Sequence, residues 1–288
     1  MKLVQFASIT KKMALAAVAA FLVVFLPVHM GINLCLLRSD GGAWYSAACH
    51  FMGTNYIVKV FEIVLFGSIL LHIVIALLLA IENKLSRPVG YAIRPKAKTS
   101  FMSRYMVWTG MIIFCFLALH MINFYFVKLG FIDGAYTVET EKVEQYFQEK
   151  GLALQRGELS QEESEKVIAA FQNIQPILAE HMNIHTGNLD NLSKDQITES
   201  FGEDFKDYEP DFYTMCRDLF VNPYYSLIYL LIFVVLGFHL YHGLQSLFQT
   251  FGLNHDKYNE IIRYIALAYA IVLPVGFGTI PVYFLFCF

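Results

Sequence analysis

Five long apolar segments constrain the fold of this chain more than any other feature of its sequence. A helix that crosses the hydrocarbon core of a membrane needs roughly 20 apolar residues, because each residue advances the helix by about 1.5 Å. The chain has 288 residues, and 57% of them are hydrophobic, which is above the level of soluble domains. The sequence therefore predicts an all-α membrane protein with a bundle of five transmembrane helices. The predicted spans are 13–37, 57–81, 105–129, 224–248 and 262–286.

Basic residues predict the direction in which the helices run. Between residues 82 and 104, six lysines and arginines stand against a single acid, Glu82. The positive-inside rule places this short loop and the lysine-bearing N-terminus in the cytoplasm. The connections 38–56 and 130–223 and the C-terminus are then expected on the outer side. The basic residues of the loop are Lys84, Arg87, Arg94, Lys96, Lys98 and Arg104.

The outer connection between the third and fourth spans is long and acidic. Residues 130–221 hold 19 acidic and 7 basic side chains, although the net charge of the whole chain is only −3. Ser160 with Glu163 and Ser193 with Gln196 have the spacing of capping boxes, which begin helices. We therefore predict an extramembrane helical insert with a solvated acidic face, between helices 1–3 (1–129) and helices 4 and 5 (222–288). The helices are expected to contact the lipid bilayer, and no nucleic acid is expected as a partner.

Four of the predicted membrane helices carry a histidine at a similar distance from the start of the span. Because neighbouring helices run in opposite directions, His29 and His120 fall in the outer half of the bilayer, and His72 and His239 fall in the inner half. The two levels differ by roughly 10 Å along the membrane normal. Imidazole is a common axial ligand of haem iron, and facing helices can supply one ligand each. The pattern therefore predicts two stacked b haems.

Other interpretations of these histidines stay open. A lone histidine can form a hydrogen bond between helices, and a haem-free transporter would use the same residue type as a proton relay. His242, one turn beyond His239, is an alternative fourth ligand. We favour His239 because its depth matches the other three, and because Gly243 leaves room beside it for a flat ring.

Polar residues also gather toward the outer level. Asn33 and Asn123 follow His29 and His120 by one turn, and Glu62 lies inside the second span. A carboxyl group inside a membrane is costly and is therefore a candidate functional group. We expect Glu62 to exchange protons with a quinone that Asn33, His50 and Asn123 help to bind. The alternative is that Glu62 reaches the interface or pairs with Lys59.

The five cysteines show no spacing that is typical of a metal site. No CxxC pair or Cys/His cluster occurs, so the sequence does not predict zinc or iron–sulfur ligation by this chain. Cys49 and Cys216 are both expected on the outer side, where disulfides form. The sequence leaves a disulfide between them open.

The chain resembles a known family in four features taken together. These are the five spans, the single haem-type histidine in each of the first four, HFMG at residues 50–53, and His239-x-x-x-Gly243-Leu244. The family is the di-haem cytochrome b membrane-anchor subunit of succinate:quinone oxidoreductases, which comprise succinate dehydrogenase and quinol:fumarate reductase. The resemblance is closest to the single-anchor, five-helix bacterial form, and it leaves the acidic insert unmatched.

The resemblance implies an electron-transfer subunit in a bacterial inner membrane. Two haem b groups would carry electrons between menaquinone and an iron–sulfur subunit, while succinate and fumarate react on a flavoprotein (FAD) subunit. Both partners would dock on the cytoplasmic face. Family positions make His29 and His120 ligands of the distal haem, and His72 and His239 ligands of the proximal haem. The anchor of a hydrogenase or formate dehydrogenase would share the haem ligands and is the nearest alternative.

One position departs from part of the family. Some fumarate reductases of this type carry a glutamate two residues before the fourth ligand, where it is thought to move a proton. This chain has Gly237 at that position. The resemblance therefore implies that this chain handles protons differently from its glutamate-bearing relatives.

Overall fold

The computed structural model describes residues 8–86 and 101–288. Five of its helices are long and apolar enough to cross a membrane, so the chain is a multi-pass membrane protein and the predicted all-α bundle is confirmed. The helices are α1 (Ser8–Asn33), α2 (Ala43–Thr54), α3 (Tyr56–Leu85), α4 (Phe101–His120), α5 (Phe126–Lys128), α6 (Thr140–Arg156), α7 (Gln161–His181), α8 (Lys194–Phe201), α9 (Phe212–Val221), α10 (Pro223–Thr250) and α11 (Asn259–Cys287). The five membrane helices are α1, α3, α4, α10 and α11. The strands are β1 (Tyr136–Val138), β2 (Leu189–Leu192) and β3 (Glu209–Pro210).

Two membrane spans end in tighter or wider turns than the sequence predicts. α1 continues as a 3₁₀ turn over Leu34–Leu37, and α4 continues as a π-helical turn over Met121–Tyr125 before α5. A π turn holds one more residue than an α turn and often marks a functional site. Asn123 therefore does not follow His120 by a regular α-helical turn, as the sequence analysis assumed.

The chain divides into two compact units, and each is described by itself. The first, here the membrane unit, contains the described residues within Met1–Leu34, His50–Leu117 and Pro223–Tyr283. In this unit α1 packs against α3 and α10. Leu240 of α10 and Leu273 of α11 pack with Leu26 and Met30 of α1. Three membrane helices thus share one apolar core, while many other apolar side chains are exposed along the spans, as expected for surfaces that contact lipid.

At two prolines inside the spans, a backbone carbonyl lacks its usual helical hydrogen-bond donor, and a neighbouring helix lies against that carbonyl. Proline has no N–H group, so Pro27 in α1 leaves the carbonyl of Val23 without its usual helical donor. The Tyr269 hydroxyl of α11 donates a hydrogen bond to this Val23 carbonyl. Since an unsatisfied carbonyl in an apolar medium is costly, this bond joins α11 to α1 at the proline position.

A second proline accompanies the closest approach of α10 to α11. Pro274 of α11 cannot donate to the carbonyl of Ala270. Gly237 of α10 lies against this carbonyl: a Cβ atom added at Gly237 would lie 2.7 Å from the Ala270 oxygen and 3.3 Å from Pro274 Cγ. The position therefore has no room for a side chain. The sequence did not reveal this packing constraint on Gly237.

The connection 38–56 contains a helix that was not predicted from the sequence. α2 holds twelve residues and includes the whole HFMG stretch. It ends directly before Asn55, whose side chain accepts hydrogen bonds from the backbone N–H groups of Ile57 and Val58 at the start of α3. Asn55 therefore acts as the N-cap that separates α2 from the second membrane span.

The second unit, here the insert unit, comprises Cys35–Cys49, Ala118–Asn222 and Phe284–Phe288. Its helices α7 and α8 begin at capping boxes on Ser160 and Ser193, so both predicted helix starts are confirmed. A three-stranded antiparallel sheet in the order β2-β1-β3 was not predicted. Its strands are only two to four residues long, too short for an alternating pattern to show in sequence. The sheet and helices enclose an apolar core of Val127, Tyr136, Val138, Val143, Ile174, Leu189, Leu192, Ile197, Phe201 and Phe205.

Cys49 and Cys216 contact the same tyrosine in the insert unit. The Tyr45 hydroxyl group shares hydrogen bonds with the sulfur atoms of both cysteines. The two cysteines form no disulfide in the structure. Burial raises the pKa of the Cys49 thiol to about 12 and that of the Cys216 thiol further. Both groups are therefore neutral thiols at physiological pH.

Two basic residues of the predicted cytoplasmic loop lie within the described part of the chain. Lys84 lies near the end of α3, and Arg104 lies in the first turn of α4. Arg87, Arg94, Lys96 and Lys98 lie outside the described residues. At the same end of α3, Glu82 forms an ion pair with Lys11 of α1, which ties the two helices together.

Candidate functional site

Two of the predicted haem ligands meet inside the membrane unit. His72 on α3 and His239 on α10 have ring centres 6.3 Å apart, with the ring planes at 65°. The sequence paired these two residues by depth alone, and the structure places them side by side. His242, the alternative ligand, lies one turn further along α10.

A threonine on a third helix contacts this histidine pair. The Thr109 Oγ1 atom of α4 lies 3.2 Å from His239 Nδ1. The same hydroxyl group donates a hydrogen bond to the backbone carbonyl of Met106 at 2.9 Å. His72 differs, because its Nδ1 atom is buried and has no hydrogen-bond partner within 8–86 and 101–288. Thr109 was missed by the sequence analysis, although a threonine next to a glycine in an apolar span was a visible signal.

One glycine borders the histidine pair, and a second lies one turn beyond His239 on α10. A Cβ atom added at Gly110 would lie 3.5 Å from His239 Cε1, so Gly110 lets α4 come close to the imidazole. A Cβ atom at Gly243 would lie 3.9 Å from the terminal methyl group of Met106. The space beside Gly243, which the sequence analysis reserved for a flat ring, therefore borders a flexible methionine side chain. Such a side chain adapts easily to neighbouring groups.

His29 lies on α1 among aromatic side chains. Its ring stacks on Phe25 with centres 5.3 Å apart, and Phe277 of α11 lies 5.7 Å away on a tilted plane. The Asn33 Nδ2 atom donates a hydrogen bond to the His29 carbonyl at 2.8 Å and lies 3.3 Å from His29 Nδ1. Asn33, which was predicted as a quinone contact, thus forms a hydrogen bond with His29, one turn before it.

His120 and Asn123 belong to the insert unit. The His120 ring centre lies 5.2 Å from that of Phe124. Asn123, in the π-helical turn, lines a cleft of about 340 Å³ together with Asp133 and Asp218. His29 belongs to the membrane unit, so its pairing with His120 stays a prediction.

The remaining predicted residues lie at the surface or near it. Glu62 is half-buried on α3, and His50 is exposed on α2. The Lys59 ammonium group, a proposed partner of Glu62, lies over the Tyr56 ring at 5.6 Å. The role of Glu62 and His50 in quinone binding stays a prediction.

The number of side chains available as metal ligands decides which kind of metal group this site could hold. No group of three or more His, Cys, Asp or Glu side chains that could hold a metal ion occurs in the part of the chain that the structure describes. Two imidazoles alone complete the coordination of an iron that already has four ligands from a macrocycle. The donor set at His72 and His239 therefore suits a haem better than a bare metal ion.

Comparison of the chain with protein-family models, with curated proteins and with solved structures found no match.

Proposed function

We propose that this chain is the cytochrome b subunit of a succinate:quinone oxidoreductase, with His72 and His239 as the two axial ligands of one b haem. The carrying observation is the 6.3 Å between the centres of these two imidazole rings. Two imidazoles brought side by side from different helices would hold one haem, each supplying one nitrogen ligand.

A second haem is proposed at the outer level. His29 and His120 are its ligands by their sequence depth, and the aromatic rings of Phe25 and Phe277 beside His29 suit the wall of a macrocycle pocket. When bound, the two haems supply one-electron redox chemistry. The protein supplies ligation, orientation and an apolar surrounding that excludes water.

The wider reaction rests on the family resemblance. Electrons pass between menaquinone near the outer haem and an iron–sulfur subunit on the cytoplasmic side, and a flavoprotein subunit interconverts succinate and fumarate. Glu62 exchanges protons with the quinone, and Asn33, His50 and Asn123 contribute to its binding. The N-terminus lies in the cytoplasm and the protein resides in a bacterial inner membrane.

A haem-free transporter is the weaker candidate. A proton relay needs histidine nitrogens that are hydrogen-bonded to the next group in the chain. His72 Nδ1 is buried and has no such partner within the described ranges. No described side chain therefore continues a direct relay from this nitrogen, whereas a haem ligand needs only its other nitrogen.

The test is a pair of substitutions in the purified protein. His239→Ala should abolish the absorbance of the inner haem, while His242→Ala, one turn away on the same helix, should keep both haems. The reverse result would make His242 the ligand. Wild-type protein without reducible b-type absorbance would reject the haem proposal altogether.

The identity of the complex needs a separate measurement. Purification from native membranes should bring down an FAD-containing subunit and an iron–sulfur subunit with succinate or fumarate activity. A hydrogenase or formate dehydrogenase in the same preparation would instead identify the chain as the anchor of that enzyme.

A further inference from the structure

We propose that Thr109 is a positioning residue that fixes the tautomer of His239 and leaves Nε2 ready to bind iron. This inference rests on the proposed haem function, and it concerns a residue that neither the helical spacing nor the family resemblance pointed to. Thr109 and His239 are 130 residues apart in sequence, on α4 and α10. Their contact is therefore decided by the tertiary structure.

The hydroxyl group of Thr109 has one proton and two acceptor lone pairs. The proton is used in the 2.9 Å hydrogen bond that Oγ1 donates to the Met106 carbonyl. The lone pairs then face His239 Nδ1 at 3.2 Å, so this contact requires Nδ1 to donate. Because the proton of Thr109 is used within α4, its hydroxyl oxygen acts as an acceptor toward His239.

The consequence for His239 follows from the chemistry of a neutral imidazole. Only one of its two nitrogens carries a proton, and the other holds the lone pair that binds a metal. With the proton held at Nδ1, the lone pair is at Nε2. A hydrogen bond from the remote nitrogen also orients the ring and raises its basicity as a ligand.

The two histidines of the pair are therefore unequal. His239 has a hydroxyl acceptor at Nδ1, whereas the buried Nδ1 of His72 has none among the residues that the structure describes. His239 is accordingly the better electron donor of the two. A stronger donor stabilises the ferric state, so a haem held by this pair would have a lower potential with the Thr109 contact than without it.

The experiment compares Thr109→Val, which keeps the shape and removes the hydroxyl group, with Thr109→Ser, which keeps the hydroxyl group. Thr279→Val is the matched control, because Thr279 Oγ1 also donates to a carbonyl three residues before it, that of Gly276, on a different span. The full-length protein is purified with its haems. Release of haem to an excess of a haem scavenger is followed, and the midpoint potentials are determined by redox titration.

Thr109→Val should release the inner haem about 10-fold faster or more, as expected when the partner of a ligating histidine is lost. The midpoint potential of the remaining inner haem should shift upward. Thr109→Ser and Thr279→Val should match the wild type in both measurements. A merely structural role of Thr109 would change thermal stability and leave the potential in place.

Two outcomes would overturn the inference, and they differ from failure of the proposed function. Unchanged haem release and potential in Thr109→Val, with both haems present in the wild type, would reject the role of Thr109 alone. If Thr109→Val fails to fold, Thr109→Ala takes its place, and equal behaviour of Thr109→Ser and Thr109→Ala would also reject the role. A wild-type protein without haem would reject the proposed function and this inference together.

Discussion

Replacement of Gly237 by alanine tests the contact between α10 and α11 most directly. The added methyl group would lie 2.7 Å from the backbone oxygen of Ala270 and 3.3 Å from Pro274 Cγ. The oxygen belongs to the backbone of α11 and cannot rotate away as a side chain does. One of the two helices must therefore move, in a region where Leu240 and Leu273 are buried in the same core.

The size of the effect follows from two opposing contributions. Forcing extra atoms into a packed core costs typically about 1–3 kcal/mol, and a clash with backbone favours the upper half of that range. Alanine in place of glycine in a helix returns up to about 1 kcal/mol. We therefore expect Gly237→Ala to lower the free energy of unfolding by about 1–2 kcal/mol. For a chain of this size that corresponds to a melting temperature lower by roughly 2–8 °C.

Two glycines provide controls for this measurement. Gly67 on α3 has no atom within 4 Å of an added Cβ, so Gly67→Ala should leave stability unchanged or raise it slightly. At Gly276 the nearest atom is the Met30 sulfur, even closer than the oxygen at Gly237, but a methionine side chain can change rotamer. Gly276→Ala should therefore cost less than Gly237→Ala despite the shorter contact.

The assay is thermal unfolding of the purified full-length protein in detergent, followed by far-ultraviolet circular dichroism. Gly237→Ala should have the lowest midpoint of the three variants. A Gly237→Ala protein as stable as the wild type would show that α10 and α11 are not in close contact at this position. It would also remove the packing reason for glycine at this position.

Two further predictions concern Cys49 with Cys216 and Tyr269. At pH 8, maleimide should alkylate both cysteines far more slowly in the folded protein than in SDS, because a pKa of about 12 leaves only about 10⁻⁴ of Cys49 as the reactive thiolate. The rate should rise with pH, and mass spectrometry that finds both sites alkylated equally fast in the two states would contradict the burial. Tyr269→Phe should lower the unfolding free energy by about 0.5–1.5 kcal/mol, since the Val23 carbonyl loses its donor. The exposed Tyr264 provides the control Tyr264→Phe, and equal melting temperatures for the two variants would refute a role for the Tyr269 hydroxyl.

Features set by neighbouring residues were predictable from the sequence. The helix starts at Ser160 and Ser193 were predicted correctly, because a capping box involves residues only three positions apart. The five spans were predicted correctly because length and apolar content alone decide whether a helix can cross a membrane.

Features set by distant residues were missed. The small sheet of the insert unit joins segments as far apart as β1 and β3, and its strands are too short to show a pattern. The π-helical turn after His120 changes the positions of the side chains that follow it, and no local sequence pattern predicted it. The packing requirement at Gly237 comes from its neighbours on α11, while the implied difference in proton handling stays a prediction.

The sequence alone predicts five membrane helices and an expected depth for each histidine, because depth depends on the count of residues and the rise per residue. It does not fix the rotation of each helix about its axis or the identity of its neighbours. These follow from side-chain packing between helices that lie far apart in the chain. Such packing brings His72 to His239 and places the hydroxyl group of Thr109 beside the nitrogen of His239.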